Sequence, residues 1–269
     1  MAGLDPKQAG RVRLKDKVCV VTGAGQGIGR AVARRMGEEG GKIVVAERVD
    51  ESATRTTEEL TKSGITAIKA LADVSTYSGA QSLMQTALDA FGRVDVLVNN
   101  VGGTIWIKPF VEYNEDEIKA EMDRSLWPTV WSCRAVIPHM IKRGRGSIVN
   151  LGSNSVRGIY RIPYATAKGG VMSLTTSLAV ELAQTGVRVN CVAPGGTDVA
   201  NRPVPRNTLE ISDREVAWMA EMKDFVQHQM PMGRRGQVHE QAAAIAFFAS
   251  DDASFITGQI LSVAGGAAV

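Results

Sequence analysis

Ser153, Tyr164 and Lys168 lie together in the stretch SNSVRGIYRIPYATAK, residues 153–168. A tyrosine and a lysine four residues apart share one face of a helix, and Pro163 suits the first turn of such a helix. An ammonium beside a phenol favours its ionised form. Tyr164 could then take the proton of an alcohol while Ser153 holds the same oxygen by a hydrogen bond. The stretch also carries Arg157 and Arg161, and RPVPRN (202–207) adds Arg202 and Arg206. An anion leaving water for a crevice needs a charge-assisted partner, and the planar fork of arginine suits a carboxylate better than the point charge of lysine. Arginines so placed could meet an anionic ligand, although any one of them serves as readily as solvated surface. Arg161 is the first candidate anchor because it lies three residues before Tyr164, with Arg157 and then Arg206 behind it. Trp106, Trp127 and Trp131 could wall an apolar ring, although aromatics at such positions serve equally as core or subunit contacts.

A second group of residues has the chemistry of a nucleotide site. Gly23, Gly27 and Gly29 in TGAGQGIGR follow a β-branched run with the spacing G-x-x-x-G-x-G. Ile28 breaks the literal G-x-G-x-x-G, but the turn still lets a pyrophosphate approach the N–H groups opening a helix. Gln26 and Ile28 belong to the same turn. Glu47, 18 residues after Gly29, ends the next apolar run, where a carboxylate accepts the hydroxyls of an adenosine ribose and repels a 2′-phosphate. NAD is therefore expected rather than NADP, although Arg48 beside it could serve a phosphate. Asp73-Val74, Asn100-Val101-Gly102 and Pro194-Gly195-Gly196-Thr197 close three further runs, and in an open α/β sheet such strand ends line the ligand crevice.

The elements that must position these residues are legible as an alternation. Seven short runs rich in valine and isoleucine, 17–22, 42–47, 66–73, 94–100, 146–153, 187–194 and 258–265, are separated by helical patterns such as 29–40, 79–92 and 167–186. Several runs are apolar on consecutive residues, as parallel strands buried on both faces are. The pattern predicts an α/β fold: one doubly wound, Rossmann-like parallel β-sheet with helices on both faces, spanning 17–269 as a single domain. Residues 1–16 are expected as a loose tail without the features of a secretory signal, and 195–230 as a substrate loop or lid whose first part, 195–213, is irregular and rich in prolines and polar residues.

Bulk composition narrows the class. At 269 residues, with 44% hydrophobic and 22% charged residues, the chain fits a globular protein, and no apolar run approaches the roughly 18 residues of a membrane span. A formal charge of +3 with no basic tract argues against nucleic acid as a partner. The three scattered cysteines suit buried thiols in a reducing cytoplasm and offer no metal site.

TGAGQGIG, DV, NNVG, the serine closing GSIVNLGS, YATAK, PGGT and ITGQILSVAGG, in this order along nearly the whole chain, resemble the short-chain dehydrogenase/reductase family. The resemblance implies hydride transfer between a nicotinamide cofactor and an alcohol or ketone, usually in a homotetramer. It implies Ser153, Tyr164 and Lys168 as catalytic residues, with Lys168 also reaching the nicotinamide ribose. Ser125 stands where many members carry an asparagine thought to relay protons through water, and the Ser153–Tyr164 spacing is slightly short. NNVGGTIWIKPF, RSLWPTVWSCRAVIP, VRGIYRIPYATAKGG and RPVPRN are similar to cis-diol carboxylate dehydrogenases of aromatic-acid breakdown. The benzoate type, which oxidises 1,6-dihydroxycyclohexa-2,4-diene-1-carboxylate to catechol, is the nearest in pattern, with the type for p-cumate or another ring acid next, and the resemblance implies a small-molecule anionic cis-diol as substrate. A general NADPH ketone reductase and a non-catalytic nicotinamide sensor are the alternatives. Glu47 and the absence of a basic residue at 26 oppose the first, and the complete Ser-Tyr-Lys set opposes the second.

Overall fold

The structure, a computed structural model, describes residues 12–199, 203–207 and 210–267. The seven apolar runs form one parallel sheet. Its strands are β1 (Val18–Thr22), β2 (Lys42–Glu47), β3 (Ala67–Leu71), β4 (Val96–Asn99), β5 (Gly146–Leu151), β6 (Val187–Pro194) and, at one edge, β9 (Ile260–Val263). A separate pair, β7 (Thr197–Asp198) and β8 (Gly236–Gln237), is also parallel. The order in the main sheet is β3-β2-β1-β4-β5-β6-β9, so the winding reverses between β1 and β4. At such a switch point two neighbouring loops diverge and leave a crevice above the strand ends.

Consecutive apolar residues are needed because both faces are covered. In β1, Cys19 and Val21 join a core cluster containing Val32, Ala33 and Met36 of α1 (Gly27–Glu38) and Ala242, Ile245 and Ala246 of α8 (Val238–Ala249). Val18 and Val20 point the other way. They join Leu83 and Met84 of α3 (Tyr77–Phe91), Val136 and Met140 of α5 (Trp127–Arg143) and Ala179 of α6 (Ile162–Glu181). The first helix opens at the glycine turn, and Gly23 (φ +63°) and Gly27 (φ +57°) take the left-handed backbone that the turn demands. Pro128, with no N–H to offer the carbonyl of residue 124, ends α4 (Glu115–Ser125) and starts α5. The remaining helices are α2 (Asp50–Lys62), beside β2 and β3, and α7 (Asp213–His228).

One expectation is corrected. Residues 12–16, assigned to a loose tail, pack onto the end of α1. Leu14 is wholly buried there, its N–H donates to the Glu39 carbonyl, and Arg13 pairs with the Glu39 carboxylate at 2.6 Å. An apolar residue closes the bottom of the core where composition suggested only polar chain. Within 195–230, the described residues of the proline-rich part contain the short β7, and the sixteen-residue α7, which a Ser212–Glu215 capping box starts, follows it. Among the described residues no helix is long and apolar enough to cross a membrane.

Candidate active site

The switch point is fastened by two residues. The Asn100 amide nitrogen donates to the carbonyls of Thr22 and Gly23 at 3.0 and 3.1 Å, while the Thr22 hydroxyl accepts from the N–H groups of Asn100 and Val101. Gly29 lies beneath the turn, where a Cβ would stand 2.2 Å from the Gly23 carbonyl oxygen. Thus the third glycine of G-x-x-x-G-x-G serves close packing of α1 on the strand.

A crevice of about 1300 Å³ opens above these loops. Gly23, Gln26, Gly27, Ile28, Glu47, Asp73 and Val74 line one part of it, and Asn100, Val101, Gly102 and Pro194 through Thr197 line its floor and far side. These groups suit a dinucleotide. No side chain caps α1 and no acidic residue stands in its first turn, which leaves its N–H groups to an anion. The side chain at that N-cap position, Gln26, instead donates to and accepts from the backbone of Val204 at 3.1 and 3.2 Å. Glu47 accepts from the Gly25 N–H at 3.3 Å and from its own neighbour, Arg48, at 2.9 Å, so its carboxylate sits at the end of β2 against the turn. The carboxylate of Asp73 is held below its usual pKa by hydrogen bonds from Ser75.

Ser153, Tyr164 and Lys168 face the same crevice. Ser153 ends the β5 loop, 5% exposed, its hydroxyl accepting from the Ser155 N–H at 3.0 Å. Tyr164 and Lys168 come from the start of α6, which has Pro163 in its first turn. Lys168 is 3% exposed and donates to the Leu151 carbonyl at 2.7 Å. Burial lowers its pKa, with Tyr164 and Cys191 acting in the opposite sense. Ser125, the last residue of α4, is fully buried behind the crevice wall, and its hydroxyl accepts from the Gly103 N–H at 3.2 Å. A Cβ on Gly102 would stand 2.9 Å from Lys168 Nζ and 3.5 Å from Ser125 Oγ, so the two side chains converge on that glycine.

The arginines separate. Arg161, just before α6, lines the crevice, and its Nε is buried without a hydrogen-bond partner. Burial lowers its pKa, Tyr164 counters this, and Arg206 adds to the lowering. Arg206 is exposed as a residue, but its guanidinium lies against Gly103 and lines the crevice. The walls crowd that group enough to lower its pKa, against the attraction of Tyr164 and Glu121. Arg157 departs from expectation: it ends a short 3-10 turn, is exposed, and does not line the crevice. Arg202 lies outside the described residues. Trp106 lines the crevice, whereas Trp127 and Trp131 do not; they stack on each other at 5.2 Å, and Trp131 also meets Tyr77.

Three residues escaped the sequence reading. Arg235 lines the crevice from beside β8, tied to Asp198 at 2.7 Å and to the Thr197 carbonyl. Arg124, at the end of α4, donates to the Arg206 carbonyl and so holds the 203–207 segment over the site. Glu121 is fully buried, and one of its oxygens accepts from the N–H groups of Ile105 and Trp106 at 2.7 and 3.2 Å, shaping the wall that Trp106 belongs to. Burial raises its pKa against those bonds. Glutamate in a charged helix reads as solvated surface.

A short chain dehydrogenase family model matches residues 17–208. The chain is 49% identical over 254 residues to a 1,6-dihydroxycyclohexa-2,4-diene-1-carboxylate dehydrogenase of Acinetobacter baylyi, covering 94% of this chain and 97% of that one. It is 36% identical over 256 residues to a 2,3-dihydroxy-2,3-dihydro-p-cumate dehydrogenase of Pseudomonas putida, with coverage of 94% and 95%. The crystal structure of gox2181 superimposes with a TM-score of 0.85 at 31% identity, covering 95% of this chain and 97% of that one.

Proposed function

The chain belongs to the short-chain dehydrogenase family, and we propose that it oxidises a carboxylated ring cis-dihydrodiol with NAD, converting 1,6-dihydroxycyclohexa-2,4-diene-1-carboxylate to catechol, CO₂ and NADH. The observation that carries this reading is the pair of guanidinium groups, Arg161 and Arg206, in the crevice that also holds Tyr164 and Ser153. A buried Nε without a partner among the described residues is costly and is satisfied by a carboxylate. The similarity to benzoate-type dehydrogenases supports the same substrate class.

The glycine turn and the open end of α1 would hold the pyrophosphate, Glu47 the adenosine ribose, and Lys168 the nicotinamide ribose. When bound, the cofactor supplies the acceptor for the hydrogen leaving the carbinol carbon. Ser153 fixes the substrate hydroxyl, and Tyr164 takes its proton. Lys168 holds positive charge near the phenol oxygen, and Ser125, buried beside it, offers a hydroxyl for onward proton transfer. The ketone so formed lies β to the carboxylate, so loss of CO₂ makes the ring aromatic. Glu47 would meet a 2′-phosphate with like charge, which favours NAD over NADP. The same reading includes a homotetramer in the cytoplasm.

Purified protein should reduce NAD, in preference to NADP, with the benzoate cis-diol, releasing CO₂ in step with NADH. Tyr164→Phe should lower turnover by about 10²–10⁴-fold while cofactor binding persists. Faster turnover of the p-cumate diol would move the substrate to that neighbouring class. A preference for NADP would refute the role given to Glu47.

A further inference from the structure

Tyr160 stands at φ +59°, in the left-handed region that bulky side chains rarely adopt. Contacts on two sides hold it there. Inward, its carbonyl accepts from the Lys108 N–H at 2.7 Å and from the Tyr113 hydroxyl at 3.2 Å, and that hydroxyl also reaches the Trp106 carbonyl at 2.7 Å. Outward, its ring lies 6.4 Å from that of Trp218, tilted by 41°, and its hydroxyl donates to the carboxylate of Glu221; both partners belong to α7. The helix is tied down again nearby, since Arg214 lies 5.0 Å over the Trp218 ring and reaches Glu112 at 3.4 Å.

The next residue is Arg161, with its unpartnered buried Nε, and Tyr164 follows one turn later. A backbone in a sparsely populated region persists only where its surroundings over-determine it, and such residues gather at ligand clamps. Tyr160 itself does not line the crevice. We propose that Tyr160 is a positioning residue: pinned between α7 and the 106–113 segment, it sets the direction in which Arg161 enters the crevice, so that docking of α7 and placement of the guanidinium are one event. This deepens, and rests on, the reading of Arg161 as the carboxylate anchor. Placement of the guanidinium is nevertheless measurable without any substrate.

Glycine adopts this backbone without strain, so Tyr160→Gly lets the loop keep its path while cutting the tie to α7. Modification of the whole protein by phenylglyoxal, followed peptide by peptide in a mass spectrometer, reads the accessibility of each arginine. The rate at Arg161 should rise by about fivefold or more in Tyr160→Gly and also in Trp218→Ala, which cuts the tie from the other side, while the rate at the exposed Arg157 stays constant. In turnover, KM for the anionic diol should rise about tenfold with kcat little changed, and this loss should vanish in an Arg161→Ala background, because residues acting through one group are not additive. If the glycine variant does not fold, Tyr160→Asn tolerates the same backbone region and serves in its place.

An unchanged rate at Arg161 would overturn the proposal. So would equal rises at Arg157 and Arg161, which mean general loosening, or losses that add to those of Arg161→Ala. Should Arg161→Ala leave KM for the acid unaltered, the carboxylate reading fails on its own, and the modification rates alone then decide the role of Tyr160.

Discussion

Lys168 keeps a cation where burial opposes one. Desolvation lowers its pKa from the ordinary lysine value of 10.5, and the Leu151 carbonyl accepts one of its protons. For a lysine lowered on folding, the unfolded chain binds more protons over the window from the lowered value up to 10.5. Folding stability therefore rises with pH across that window, and below it the cost of burying the charge stands in full. Lys168→Met abolishes both the ammonium and this pH dependence. Denaturant unfolding of variant and parent over a series of pH values should show the stability difference moving in the parent's favour as pH climbs through the window. A difference flat across pH would mean that burial does not oppose the charge. The variant should be inactive at every pH, since the residue proposed to tune the phenol is gone.

The glycine turn is held by fit between elements rather than by any one bond. Asn100 at the end of β4 fastens the turn after β1, and α1 packs so close beneath it that a methyl group at Gly29 would strike the Gly23 carbonyl and the Asn100 amide. Gly29→Ala must push the helix back, at a cost of about 1–3 kcal/mol, and should lower Tm by several degrees. Because the N-terminus of α1 moves with it, the cofactor should bind about tenfold or more weakly, as titration of protein fluorescence would record. Unchanged affinity in a destabilised variant would separate packing from cofactor binding and contradict the function given to this contact. This part of the site was legible in the sequence because glycine spacing and strand ends are local signals. The exposure of Arg157 was not, because only a 3-10 turn ending at that residue decides that it faces solvent while Arg161 enters the crevice. Glu121 and Arg235 were illegible for a related reason: their partners lie far along the chain or in the backbone of a loop, where residue type gives no warning.

Across the whole molecule, the reversal between β1 and β4 gathers loops from distant parts of the chain into one crevice. The sequence foretold that architecture because a sheet covered on both faces imposes its apolar runs directly. It misjudged residues 12–16, a peripheral piece, where a single leucine decides between packed and loose chain. The proposed function turns on the charge brought together above the strands: Arg161 and Arg206 in the crevice with Tyr164, and Lys168 buried beside them. Comparing kcat/KM for the carboxylated cis-diol with that for its methyl ester, in the parent and in Arg161→Ala, tests this most directly. The parent should favour the acid by about ten- to hundredfold, the worth of a charge-assisted bond of about 1.5–3 kcal/mol, and the variant should no longer distinguish the two. A parent that turns over acid and ester equally well would contradict it.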